Sequence, residues 1–116
     1  MPPDRRKTLL VVDSDEEIRE VLTAALRRDY RVLRAATGEA ALQMMQKEDV
    51  DLMLLEVHLP GISGFEVLKI ARENWPYVEV FAISNTKELD IAIEAMRHGA
   101  YHYISKEVDP EGIRTL

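Results

Sequence analysis

The chain has 116 residues, 47% of them hydrophobic and 31% charged, which suits one folded domain with a single core. A net charge of −6 argues against nucleic-acid binding through this domain, and the absence of cysteine excludes disulfides, thiolate nucleophiles and cysteine-held zinc. No apolar run approaches membrane-spanning length and residues 1–7 lack the apolar segment of a signal peptide, so a cytoplasmic location without a membrane partner is expected.

Residues 1–7, with the cluster Arg5-Arg6-Lys7, read as a flexible leader. Leu9-Leu10-Val11-Val12 is a short apolar strand that ends at Asp13. Ile18, Val21, Leu22, Ala25 and Leu26 recur at helical spacing and predict a helix over 16–28 with one apolar face. Arg31-Val32-Leu33-Arg34-Ala35 alternates, the pattern of a half-exposed edge strand. Thr37-Gly38-Glu39 is a turn able to cap a second helix, whose apolar members are Ala41, Leu42 and Met45.

Leu52-Met53-Leu54-Leu55 are four consecutive apolar residues between Asp51 and Glu56, as in a parallel strand buried on both faces. The turn at Pro60-Gly61 leads to a third helix after Gly64, with Phe65, Leu68, Ala71 and Trp75 inward and Pro76 as its stop. A fourth strand over 78–83 ends at Ser84. The next helix, over 87–97, carries Leu89, Ala92, Ile93 and Met96 as an inward stripe, and Gly99 suits a left-handed C-cap. Ile91 and Ala95 add apolar area outside that stripe, so Ile91 is expected at a protein contact. Ala100-Tyr101-His102-Tyr103-Ile104 is a fifth strand running into Ser105-Lys106. Asp109-Pro110 opens a final helix that is truncated or continues into an output region. His58, His98 and His102 have no metal-ligand spacing, and Met44, Met45, Met53 and Met96 read as core filler.

Strict alternation of strand and helix with short loops predicts an α/β fold: a doubly wound, five-stranded parallel sheet with helices on both faces. The flavodoxin-like order 2-1-3-4-5 has its switch point between the first and third strands, where open α/β sheets bind ligands. Asp13 and Glu56 end those two strands, and Ser84 and Lys106 end the fourth and fifth on the same rim. Two carboxylates, a hydroxyl and an ammonium suit a phosphoryl group and a divalent cation.

From Thr8 to Leu116 the chain resembles the receiver domain of two-component response regulators. The marks are Val11-Val12-Asp13 with Ile18-Arg19, the run from Asp51 through Pro60-Gly61-Ile62-Ser63-Gly64, and Gly99-Ala100-Tyr101 through Lys106. The resemblance implies a non-enzymatic signalling domain over 8–116, in which an aspartate ending the third strand is phosphorylated from a histidine kinase. It implies Asp13 as a Mg²⁺ ligand, Ser84 and Lys106 as phosphate-site residues, and Tyr103 as the aromatic switch position. It also implies an output domain or partner, or a homodimer, meeting the face of the fourth helix, fifth strand and fifth helix.

Four residues depart from the family pattern. Glu56 stands at the phosphoacceptor position and Ser14 at that of the second metal-binding acid; Glu107 replaces a proline and Asn85 a small residue. The extra methylene of Glu56 displaces its carboxylate by roughly 1 Å or more, enough to cost ~10²-fold in a reaction that depends on positioning. Ser14 removes a charge and a hard ligand, so Mg²⁺ affinity is expected to be weak. The expectation is an atypical receiver, not phosphorylated conventionally, with Glu56 reaching toward Lys106 and Ser84 and holding an active-like state. A plainer reading makes Glu56 a scaffold partner of Lys106 and Tyr103 an ordinary strand aromatic. Two alternatives stand beside these: a phosphorylatable receiver with impaired Mg²⁺ binding, and an Asp-x-Asp phosphohydrolase with Asp13 as nucleophile and Asp15 as general acid. Glu17, two positions after the second aspartate, speaks against the latter.

Overall fold

The computed structural model of the chain describes residues 5–84 and 89–105. Within them strands and helices alternate: β1 (Lys7–Val12), α1 (Glu16–Leu26), β2 (Tyr30–Ala35), α2 (Gly38–Lys47), β3 (Leu52–Glu56), α3 (Gly64–Asn74), β4 (Glu79–Ser84), α4 (Leu89–Arg97) and β5 (His102–Ser105). Every strand pair is parallel and the order is β2-β1-β3-β4-β5, the expected doubly wound sheet.

The apolar runs divide by alternation between two cores. Leu9, Val11, Leu54, Ile83 and Ile104 face one side, where they meet Leu22 and Leu26 of α1. Leu10, Val12, Met53, Leu55, Val80 and Ala82 face the other, against Ala41, Met45, Val67, Leu68, Ala71 and Ala95 of α2, α3 and α4. Central strands covered on both faces have no polar side to show, which is why β1 and β3 read as unbroken hydrophobic stretches. β2 is the half-buried edge its alternation predicts. Asp51 clamps the N-terminal ends of the strands: its carboxylate accepts from the Thr8 amide (2.8 Å) and its amide donates to the Thr8 carbonyl (2.9 Å).

Each of the first three helices starts on a side-chain cap, Asp15, Thr37 and Ser63 respectively, whose oxygen takes an otherwise unpaired amide of the first turn. Gly99, at φ +95°, occupies the left-handed region beyond α4, as its C-cap role requires.

The structure corrects five boundaries and faces. β1 starts at Lys7, inside the expected leader, and the Arg6 guanidinium donates to the Arg27 carbonyl (2.7 Å). α1 stops at Leu26 rather than 28, because an Asp29 amide bond to the Leu26 carbonyl (3.1 Å) turns the chain into β2; Val21, assigned to the apolar face, is 42% exposed. β5 starts at His102, since the Tyr101 amide is still donating to Val80 (2.7 Å) from the connecting turn.

The largest correction is the rotation of α4. Ala95 is fully buried and Ile91 packs on the core, whereas Ile93 and Met96 are 41% and 49% exposed. Ile91 and Ala95 stand four apart, and Ile93 and Met96 three apart, so either pair can form a stripe. The small side chain at 95 suits a helix packed on the sheet, and the Ala100 amide bond to the Ala95 carbonyl (3.1 Å) closes the helix end beside Gly99. The expected final helix at Asp109-Pro110, with Asn85, Lys106 and Glu107, lies outside the described residues.

Candidate functional site

Register alone brings the rim residues together. Val12 pairs with Leu55 across β1 and β3, so Asp13 and Glu56 leave the sheet side by side. Glu56 pairs with Ile83 on β4, Ser84 follows one residue later, and the Val57 amide extends the ladder to the Ile83 carbonyl (3.0 Å). Tyr103 pairs with Ala82 and is half-buried against the core shared with α2, α3 and α4. Asp13 and Ser84 are fully buried and Glu56 is 8% exposed, an unusual density of polar side chains away from water.

Buried polar groups require partners, and the loop from β1 into α1 supplies them. The Asp13 amide continues the β1–β2 ladder to the Ala35 carbonyl (3.1 Å), and the Arg19 guanidinium donates to the Asp13 carbonyl (2.7 Å). Asp13 Oδ1 accepts from the Asp15 amide (2.9 Å). Asp15 in turn caps α1, accepting at Oδ1 from the amides of Glu17 (2.9 Å) and Ile18 (3.4 Å). Ser14 is thereby fixed between two constrained aspartates, and it donates twice to Glu56 Oε2: from its amide at 2.8 Å and its hydroxyl at 3.0 Å. Sequence reasoning treated Ser14 as a lost ligand or a candidate helix cap and missed it as a donor to Glu56. The signal was a longer acid facing a hydroxyl residue across two adjacent strand ends.

The other side of Glu56 is closed by Gly64. A Cβ on this first residue of α3 would overlap the Glu56 carbonyl oxygen and stand 2.5 Å from the Val57 Cα. The Gly64 amide donates to the Val57 carbonyl (3.1 Å), pulling the loop between β3 and α3 into a tight return. Glu39 at the start of α2 holds the same loop, accepting from the Ile62 amide at Oε1 (3.2 Å) beside Gly61 (φ +73°). Its own amide, the Ile62 amide and the Thr37 hydroxyl keep the Glu39 carboxyl below the ordinary glutamate range.

A divalent cation at this rim would draw on Asp13, Ser14 and Glu56. The set fits it poorly: it offers two carboxylates, and Ser14 turns both its protons toward the glutamate oxygen a cation would need. Among the described residues no group of three or more acidic, histidine or cysteine side chains could hold a metal ion.

Residues 9–116 match the family of response regulator receiver domains. The chain belongs to that family. The hydrogenase transcriptional regulatory protein HoxA of Cupriavidus necator is 32% identical over 109 residues, 93% of this chain and 23% of HoxA. The response regulator protein PilR of Pseudomonas aeruginosa is 32% identical over 112 residues, 96% of this chain and 25% of PilR. This receiver domain therefore spans about a quarter of the length of these relatives. Among solved structures, a CheY-like receiver domain protein from Methanospirillum hungatei superposes with a TM-score of 0.89 at 28% identity, covering 95% of this chain and 89% of that one. Among the described residues of the receiver, no helix is long and apolar enough to cross a membrane.

Proposed function

We propose that this receiver regulates through protein contacts and is not phosphorylated at the family's usual position. The carrying observation is the state of Glu56, a carboxylate with 8% exposure whose Oε2 already accepts two hydrogen bonds from Ser14. A phosphoacceptor needs a free oxygen aligned with the incoming phosphorus, and a displacement near 1 Å costs ~10²-fold. Here the acid is both longer than aspartate and engaged. Weak Mg²⁺ affinity follows from the same donor set, since Ser14 offers a neutral hydroxyl where a carboxylate would be needed.

Glu56 places one buried negative charge where a phosphorylated receiver would carry about two, so it mimics the modified state in part. On this reading the receiver rests in an active-like state, with Ser84, Tyr103 and Lys106 as the groups that answer the charge and a histidine kinase as a dispensable input. The short span of the chain against its relatives, which are named as transcriptional regulatory and response regulator proteins, supports a regulatory module of a longer protein, and a cytoplasmic location is part of the same proposal. The exposed side of α4, with Ala92, Ile93, Met96 and Arg97 around one shallow apolar groove, is the proposed contact with an output domain or a second copy. The Asp-x-Asp hydrolase reading is disfavoured, because Asp15 is committed to capping α1.

Intact mass after incubation with acetyl phosphate and MgCl₂ tests this. The parent should gain no phosphoryl group, while the Ser14→Asp/Glu56→Asp double variant should gain one. A labelled parent overturns the proposal.

A further inference from the structure

We propose that Ser14 is a positioning residue for Glu56 and takes the place of a divalent cation, so that this rim is built the same way whether or not magnesium is present. The inference rests on the reading of an unphosphorylated receiver and concerns how its rim is held.

Two donors from one residue converge on a single oxygen, the amide at 2.8 Å and the hydroxyl at 3.0 Å. Both are charge-assisted bonds, stronger than those between neutral groups. The residue giving them has little freedom to turn away, since the Asp15 amide is tied to Asp13 Oδ1 on one side (2.9 Å) and Asp13 is tied to Ala35 on the other (3.1 Å). A cation approaching Glu56 Oε2 would have to displace both donors and pay for its own dehydration, which Mg²⁺ resists.

The residue types are matched to one another. An aspartate at position 14 would bring a second carboxylate to where the serine oxygen now stands, 3.0 Å from Glu56 Oε2, and like charges that close raise the cost of ionising both. A shorter acid at position 56 would withdraw from the Ser14 donors. Serine and glutamate therefore form one complementary unit, in which each departure from the family pattern makes the other workable.

Thermal unfolding in EDTA and in excess MgCl₂ reads this directly, because Ser14 is exposed and outside any helix or strand, so that substitutions there act on the rim rather than on the core. The parent and Ser14→Thr should melt within ~1 °C of each other in both buffers, as the hydroxyl is retained. Ser14→Ala should melt ~5 °C lower in both, reflecting one lost charge-assisted bond. Ser14→Asp should be the least stable in EDTA and should recover by ~5 °C or more in MgCl₂, when a cation can offset the paired carboxylates. A merely structural serine would not separate these variants by their magnesium response. A parent that is stabilised by MgCl₂ as strongly as Ser14→Asp, or a Ser14→Ala variant that melts with the parent, overturns the assignment. Neither result depends on phosphoryl labelling: a labelled parent with a magnesium-independent melt defeats the proposed function alone, and an unlabelled parent stabilised by magnesium defeats the Ser14 assignment and the weak Mg²⁺ affinity while leaving the unphosphorylated reading standing.

Discussion

Two residues away from the charged cluster decide how closely the loop beyond β3 approaches it. Gly64 is required by contact rather than by dihedral angle, since a methyl group there would meet the backbone of Glu56 and Val57. Gly64→Ala is expected to cost about 3 kcal/mol, because backbone cannot yield as a side chain does. The unfolding midpoint in urea should fall accordingly, and an unchanged midpoint would mean that α3 shifts freely along the sheet. Glu39 acts on the same loop from α2, and its lowered pKa carries a sign. The folded state binds that proton less readily than the unfolded chain, so the contribution is present above the ordinary glutamate range and disappears as pH falls through the lowered value. Glu39→Gln should therefore differ from the parent at neutral pH and converge with it in acid. Parallel stability curves down to acid would show that the Ile62 tether adds nothing.

At the scale of elements, α4 separates what pattern can and cannot supply. Its helical character was legible, because Ala92, Ile93, Ala95 and Met96 fit the 3.6-residue period and Gly99 ends it. Its inward face was not, since six apolar or small residues in a short helix allow two stripes and periodicity prefers neither. The choice falls on the stripe with alanine at the point of closest approach, a property of the sheet beneath rather than of the helix. Ala95→Asp should destabilise by at least ~3 kcal/mol by burying an unpaired charge, while Ile93→Asp should stay within ~0.5 kcal/mol of the parent. If copies or an output domain meet on this face, Ile93→Asp should also reduce association in sedimentation velocity. Equal unfolding midpoints for the two variants would restore the orientation read from sequence. Val21 on α1 teaches the same lesson, for its spacing matched the apolar face and its position on the helix left it 42% exposed.

For the whole molecule, alternation of short apolar strands with amphipathic helices was enough to foresee the sheet order, and with it the meeting of Asp13, Glu56 and Ser84 on one rim. The direction of the bonds there was not legible, because it depends on loop geometry: a capped α1 aims the Ser14 amide at β3, and no propensity encodes that aim. That shared oxygen also constrains how this protein can vary. Restoring aspartate at 56 alone strands the serine donors, and restoring aspartate at 14 alone sets two acids against each other. Without a bound cation, either single change toward an acidic pair is expected to give a weaker protein than the parent. If the pair is coupled in this way, a search for related chains should find serine or threonine at the first position wherever glutamate occupies the second.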